Sequence, residues 1–144
     1  MALVLHVLQQ KGHDVYSIGP AETVYDALKS MAEKDVGSLM VIEGDRIIGI
    51  ITERHYARKV VLQGRTSPTT PVREIMETRV LYVRPERTVE ECMAIVTRER
   101  VRHLPVMDNG QLVGIVSIGD LVKSIISEQK FIIEELIHFI AGDR

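Results

Sequence analysis

Ser117 and Asp120 are the residues whose types and spacing best suit ligand chemistry. They directly follow the apolar run Gly114–Val116, so a predicted strand brings Ser117 to the start of a predicted helix, and Asp120 lies one turn later. A hydroxyl beside the free amides of a helix start can bind an anion, and a carboxylate one turn on can accept hydrogen bonds from a sugar diol. The same pair also matches a Ser-x-x-acid capping box, which stabilises a helix by about 1 kcal/mol without any ligand. Both interpretations stay open.

A second arrangement of this kind lies 65 positions earlier, and it lacks the acid. Thr52 keeps the hydroxyl after the apolar run, whereas His55 stands where Asp120 stands in the other copy. A diol is therefore a poorer ligand here. An imidazole could instead bind a phosphate or a sugar hydroxyl weakly, and the residues that could supply positive charge are Arg54, Arg102 and His103.

Motifs for catalysis or metal binding are absent from the sequence. It contains no H-E-x-x-H, C-x-x-C, G-x-x-x-x-G-K-[ST] or G-x-S-x-G pattern. The single Cys92 lies on the apolar stripe of a predicted helix without an adjacent base, where a thiol usually serves as a small hydrophobe. We therefore expect a binding protein that is not an enzyme and holds no metal. Catalysis is a third alternative, for which no acid–base pair can be named.

The composition argues against two classes of partner. With 18 basic and 20 acidic residues the net charge is −2, which gives no positive field to hold nucleic acid or an anionic membrane. No apolar run approaches the ~18 residues of a membrane span, and Met1–Leu8 is too short for a signal peptide. The sequence thus predicts a cytoplasmic location, and its 45% hydrophobic content is enough for a buried core.

An internal repeat organises the chain. Pro20–Tyr56 aligns without a gap with Pro85–Leu121 at a constant shift of 65 positions. Chance would give about two identities over this length. The identical pairs are Pro20/Pro85, Thr23/Thr88, Val24/Val89, Val36/Val101, Leu39/Leu104, Val41/Val106, Gly49/Gly114 and Ile50/Ile115.

Each copy predicts the same order of elements, β-α-β-β-α. A short strand opens the copy, at Asp14–Ile18 or Val80–Val83, and a Thr-x-x-acid capping box then begins a helix. Two apolar runs around a polar turn follow and predict a hairpin. The capping boxes are Thr23/Asp26 and Thr88/Glu91, and the second helices begin after Thr52 and Ser117.

The predicted boundaries follow from this repeat. Repeat 1 spans residues 7–62, a linker with two prolines spans 63–71, repeat 2 spans 72–126, and a helical extension spans 127–144. A unit of 55 to 60 residues buries little apolar surface alone. We therefore expect an α/β (α+β) fold in which both repeats pack as one pseudo-two-fold module.

The combination of features resembles a known family. A twice-repeated β-α-β-β-α unit, with V-R-E-I-M before the second copy and G-[IV]-[IV]-[ST]-x-x-[DH] closing each hairpin, is similar to a pair of cystathionine-β-synthase (CBS) domains, or Bateman module. The short closing pattern is common by itself and becomes specific only through the repeat. The resemblance covers the chain from Val7 to about Ile126.

The resemblance implies a set of site residues. In the family the acid holds a ribose, the Ser or Thr holds a phosphate, and the partner repeat supplies the adenine wall. For Ser117 and Asp120 the implied wall is Val15, Tyr16, Val36, Gly37 and Ser38. For Thr52, Arg54 and His55 it is Thr78, Val80 and Val101, with Arg102 and His103 nearby.

The resemblance also implies a function. It predicts a regulatory module that senses energy or redox state by binding AMP, ADP, ATP or NAD, with S-adenosylmethionine a weaker candidate, and that modulates an unknown target protein. The alternative is a dimeric scaffold or protein-interaction module whose clefts stay empty. A thermal shift with adenine nucleotides would discriminate between them.

The C-terminal segment predicts a helix that extends beyond an ordinary CBS pair, with Gly142 as its stop. Its apolar stripe must be buried against the N-terminal helix or against the same stripe of a second copy. We expect a homodimer, as is common in the family. The stripe comprises Ile125, Ile126, Ile132, Ile133, Leu136, Ile137 and Ile140.

Overall fold

The computed structural model describes residues 1–142 of the chain. Asp143 and Arg144, which belong to the predicted 127–144 extension, lie outside the described residues. The chain divides into two compact units. One unit is Val15–Val80, and the other combines Met1–Asp14 with Leu81–Arg144.

The elements form a mixed α+β structure with the repeated order that the sequence predicts. In chain order they are α1 (Val4–Lys11), β1 (Ser17–Ile18), α2 (Val24–Lys34), β2 (Ser38–Glu43), β3 (Arg46–Thr52), α3 (Glu53–Tyr56), α4 (Val89–Glu99), β4 (His103–Asp108), β5 (Gln111–Ser117) and α5 (Ile118–Ala141). A π-helical stretch, Ala57–Val61, continues α3, and short 3-10 turns lie at Ser67–Thr69 and Val72–Glu74.

The unit Val15–Val80 contains a three-stranded sheet in the order β1-β2-β3, with β1 parallel and β3 antiparallel to β2. The i, i+3, i+7 spacing of Val24, Ala27 and Met31 buries one face of α2. These side chains join Leu39, Val41, Ile51, Val60 and Ile75 in one apolar core.

The other unit contains the antiparallel hairpin β4-β5. Val83 forms a parallel bridge with Val106, and its amide donates to Pro105 O at 3.0 Å. The N-terminal helix α1 belongs to this unit, because Val4 and Leu8 are fully buried in the same core as the stripe of α4. That stripe is Val89, Cys92 and Val96.

Three local predictions differ from the structure. The opening strands are shorter than the apolar runs: β1 covers only Ser17–Ile18 of the predicted Asp14–Ile18, and Val80–Val83 supplies one bridge instead of a strand. The helix after Thr52 is α-helical for only four residues before it widens to π geometry. The extent of each opening strand depends on the backbone that lies alongside it, and local sequence does not encode that partner.

The helix starts confirm one capping box fully and the other in part. In Thr88/Glu91 the Glu91 amide donates to Thr88 Oγ1 and the Thr88 amide donates to Glu91 Oε1, both at 3.0 Å. In Thr23/Asp26 only the bond from Asp26 N to Thr23 Oγ1 forms, at 3.1 Å. Both cap residues also lie in an antiparallel bridge, Thr23 with Pro71 and Thr88 with Leu3.

The C-terminal helix α5 confirms the predicted extension. It ends at Ala141 and is capped by Gly142, whose φ of 75° is in the left-handed region that glycine favours. Its first turns pack on the core through the buried Leu121. From Phe131 onward its large apolar side chains are half or more exposed. No helix within residues 1–142 is long and apolar enough to cross a membrane.

Candidate functional site

Ser117 and Asp120 form a reciprocal pair at the start of α5. The Ser117 amide donates to Asp120 Oδ2 at 2.8 Å, and the Asp120 amide donates to Ser117 Oγ at 3.1 Å. The capping box therefore forms. It uses only one carboxylate oxygen, and the hydroxyl hydrogen of Ser117 is not needed for the cap. Capping and ligand binding are compatible at this helix start.

Lys11 completes the surroundings of Asp120, and sequence reasoning did not identify it. Its Nζ donates to Asp120 Oδ2 at 2.7 Å and to Ile115 O at 2.9 Å. Asp120 Oδ2 thus accepts two hydrogen bonds, while Oδ1 has no partner within the described residues. Lys11 precedes Asp120 by 109 positions, so no local pattern connects the two residues.

The Asp120 carboxyl is held ionised by its neighbours. Burial raises its pKa, but the hydrogen bonds from Lys11 and from the Ser117 amide, together with the Lys11 charge, lower it by more. The net pKa is below the ordinary value of an aspartate. An ionised carboxylate with a free oxygen is a strong acceptor for hydroxyl donors.

The first amides of α5 are mostly occupied, which limits the predicted anion site. Ile118 N donates to Arg102 O at 3.0 Å, and Asp120 N donates to Ser117 Oγ. Within the described residues, Gly119 N has no hydrogen-bond partner. Within α5 itself and its N-cap, the donors left for an anion are this amide and the Ser117 hydroxyl, which is fewer than the sequence suggests.

Thr52 and His55 reproduce the same junction in the unit Val15–Val80. His55 N donates to Thr52 Oγ1 at 3.3 Å, and Thr52 N donates to His55 Nδ1 at 3.1 Å. The imidazole therefore replaces the carboxylate of Asp120 as the acceptor of the cap. Because Nδ1 accepts a hydrogen bond, the ring is neutral and carries its hydrogen on Nε2.

The pKa of His55 is consistent with a neutral ring. Burial lowers it most, and Lys59, Arg54 and Arg58 lower it further, against an opposing effect of Glu77. The imidazole thus offers one Nε2 donor rather than a positive charge near neutral pH.

Two of the predicted wall residues, Gly37 and Ser38, lie beside the Thr52 junction of their own unit, and the basic residues Arg102 and His103 lie beside the Ser117 junction. Ser38 pairs with Thr52 across β2 and β3, and His103 pairs with Ser117 across β4 and β5. Gly37 O accepts from Glu53 N at 3.2 Å, as Arg102 O accepts from Ile118 N.

The predicted site residues are divided between the two units. Thr52, Arg54 and His55 share the unit Val15–Val80 with Val15, Tyr16, Val36, Thr78 and Val80. Ser117 and Asp120 share the other unit with Val101. The Lys34 ammonium lies 5.3 Å from the ring centroid of Tyr16, within the range of a cation–π contact. Thr78 is exposed.

Cys92 has the properties of a core residue. Its side chain is fully buried, and burial raises the pKa of its thiol to about 11. No group of three or more His, Cys, Asp or Glu side chains in residues 1–142 could hold a metal ion.

Comparison with known proteins places these features in a family. The model of the CBS domain matches residues 12–62 and again 72–127. The chain is 42% identical over 126 residues to the mitochondrial CBS domain-containing protein CBSX3 of Arabidopsis thaliana, which covers 84% of this chain. It spans only 61% of the length of that plant relative.

Two solved structures are similar to this chain. A CBS-domain protein of Burkholderia ambifaria MC40-6, described as a candidate signal-transduction protein, is 53% identical, with a TM-score of 0.86 over 89% of this chain and 96% of its own. A hexameric CBS-CP12 protein from bloom-forming cyanobacteria is 32% identical, with a TM-score of 0.75 over 85% of this chain and 70% of its own. With the repeated fold and both matched segments, these likenesses show that the chain belongs to the CBS-domain family as a tandem pair.

Proposed function

We propose that the chain is a regulatory module that binds an adenine nucleotide at the Ser117–Asp120 junction and thereby modulates a partner protein. The observation that carries this proposal is the Asp120 carboxylate. It is ionised, its Oδ2 is held by two donors, and its Oδ1 has no partner within the described residues. Two ribose hydroxyls are donors that suit such an oxygen.

The surroundings of Asp120 favour a ligand that also carries a phosphate. The Ser117 hydroxyl and the Gly119 amide are donors at a helix start, where the helix dipole favours negative charge. The Lys11 ammonium adds a positive charge next to them. AMP, ADP, ATP and NAD combine a ribose with phosphate, whereas S-adenosylmethionine has a ribose without phosphate and is a weaker candidate.

The Thr52–His55 junction is proposed only as a weaker site. Its neutral imidazole replaces the carboxylate, so a ribose diol would meet a single Nε2 donor there. We therefore expect the nucleotide to prefer the Asp120 site.

The regulatory output that we propose is a nucleotide-dependent change in the binding of a target protein. Such a change requires that the ligand bind two states of the module with different affinities.

The cytoplasmic location also stays a prediction, since the plant relative is named as mitochondrial.

Thermal unfolding tests the proposal, because a ligand that binds the native state raises the unfolding temperature by mass action. The protein is heated with AMP, ADP, ATP, NAD, NADH and S-adenosylmethionine in turn. We expect an upshift with at least one phosphate-bearing ligand, and its loss in Asp120→Asn. Glu91→Gln is a matched control, since it neutralises the acid of a similar cap at the start of α4. No upshift with any ligand would favour the alternative, a scaffold with empty clefts.

We also propose that the exposed end of α5 joins two copies of the chain as a homodimer. Phe139 is 77% and Ile140 82% exposed, which is too much apolar surface to leave in water. Ile126, Ile133 and Ile140 recur every seven residues, as in helices that pair along a seam. Glu134 and Glu135, with no Lys or Arg between Phe131 and Ala141, make an anionic membrane a poor alternative.

A further inference from the structure

The position of Lys11 is fixed by packing rather than by its ion pair alone. Leu8, one turn earlier in α1, is fully buried and lies against Gly114 of β5. Two residues after Lys11, His13 Nδ1 lies 2.9 Å from Val113 O. The end of α1 is thus held along β5 on both sides of Lys11, which leads its side chain to the start of α5.

The contacts of Lys11 make the two carboxylate oxygens of Asp120 unequal, because within residues 1–142 only Oδ2 receives hydrogen bonds. Nζ and the Ser117 amide both donate to Oδ2, at 2.7 and 2.8 Å. Such a pair of donors on one oxygen fixes the plane and direction of the carboxylate. Oδ1 is then left without a donor among the described residues. Without Lys11, only the hydrogen bond from the Ser117 amide would hold the Asp120 carboxylate, which could then rotate.

The ammonium of Lys11 also has a donor to spare. It carries three N–H donors, and two of them reach Asp120 Oδ2 and Ile115 O. The third has no partner within the described residues, and the Lys11 side chain is 33% exposed. A phosphate oxygen at the helix start would be a suitable acceptor, and the Lys11 charge offsets the repulsion between phosphate and Asp120.

We propose that Lys11 is a positioning residue of the Asp120 site, which presents Oδ1 to the ribose and selects ligands that carry a phosphate. The inference rests on the proposed nucleotide binding. It makes α1 part of the site, although α1 precedes the first matched CBS segment, which begins at residue 12.

Substitution of Lys11 should weaken the binding of AMP and of adenosine to different extents, although the two ligands share adenine and ribose. Adenosine needs only an oriented carboxylate, whereas AMP needs the orientation and the positive charge. Lys11→Met removes both functions of the side chain while keeping its length. Lys11→Arg keeps the charge.

Calorimetric titration with AMP and with adenosine tests the proposal on the full chain. We expect Lys11→Met to weaken AMP binding by about tenfold and adenosine binding by about threefold, the first corresponding to about 1.4 kcal/mol. Lys11→Arg should recover most of the AMP affinity. Lys123→Met, an exposed lysine on α5, makes the same charge change elsewhere and should leave both affinities unchanged.

A second readout separates positioning from a merely structural role. NMR titration of the Asp120 carboxyl should give a higher pKa in Lys11→Met than in the unmodified protein, and Lys11→Arg should keep it low. Lys11→Met binding AMP as tightly as the unmodified protein would overturn the proposal for Lys11 alone. An unmodified protein that binds neither AMP nor adenosine would overturn the nucleotide site and the role of Lys11 with it. If Lys11→Met does not fold, Lys11→Gln takes its place.

Discussion

The side chain of Leu8 lies so close to Gly114 that a Cβ atom at residue 114 would come within 2.6 Å of Leu8 Cδ2. Gly49 occupies the equivalent position of the other repeat, where a Cβ would meet Glu77 O at 2.8 Å and Met76 Sδ at 2.9 Å. Cβ atoms do not approach other atoms this closely. Each glycine therefore allows a second segment to pack on the last strand of its hairpin, just before the helix start that carries the site.

The two glycines should differ in how well they tolerate alanine. In Gly114→Ala the new methyl group meets the end of a leucine side chain, which can move at some cost, whereas in Gly49→Ala it meets a backbone oxygen. We expect losses in the free energy of unfolding of about 1 kcal/mol and about 3 kcal/mol, respectively. Urea unfolding monitored by circular dichroism measures both. Equal losses would mean that Glu77 moves as easily as Leu8.

His55 should make the protein less stable in mild acid. Its pKa is lowered in the folded state, first by burial, so the unfolded chain binds a proton more readily. The contribution of a neutral His55 is complete above the unfolded pKa of about 6.5 and is lost as the pH falls through the lower folded pKa. The free energy of unfolding, measured in urea between pH 5 and pH 8, should therefore fall less on acidification in His55→Gln than in the unmodified protein. This variant keeps a neutral acceptor for Thr52 N. Identical pH profiles would contradict this assignment.

Cys92 should be nearly unreactive in the folded protein. Its thiol is fully buried, and burial raises its pKa to about 11, so little thiolate exists at pH 8. We expect a disulfide reagent to react at least about 100-fold more slowly with the native protein than with the protein in urea. Fast reaction of the native protein would show that the core around α4 opens readily.

Disruption of the apolar end of α5 should separate the copies of the chain. Ile133→Glu places a charge within the proposed seam, while Lys130→Glu changes a residue that lies outside the row of Ile126, Ile133 and Ile140. We expect light scattering after gel filtration to give a dimer for the unmodified protein and for Lys130→Glu, and a monomer for Ile133→Glu. A dimeric Ile133→Glu would remove the α5 seam from the account.

Much of the fold could be predicted because the same pattern of apolar and turn residues occurs in both repeats. The gapless shift of 65 positions and the spacing of Val24, Ala27 and Met31 were sufficient for α2, α4 and both hairpins. The short length of β1 was not predictable, since it depends on which backbone lies alongside, and no sequence pattern marked the π geometry after Tyr56.

The candidate site was only partly accessible to sequence reasoning. Ser117 and Asp120 follow a local pattern, and the capping box that this pattern predicts is present. Lys11 was missed because its contact with Asp120 spans 109 positions and arises from the packing of Leu8 on Gly114. His55 was identified from the repeat as a departure from the acid, but its role as a neutral cap acceptor needed the geometry of the ring.

Calorimetric titration of the nucleotide selected by the thermal screen measures whether the Asp120 carboxylate binds the ribose of an adenine nucleotide. We predict saturable binding to the unmodified protein and to Glu91→Gln. Asp120→Asn should lose affinity by about tenfold or more, since a hydrogen bond to a charged acceptor contributes about 1.5–3 kcal/mol. An unchanged affinity in Asp120→Asn would show that the carboxylate does not bind the ribose.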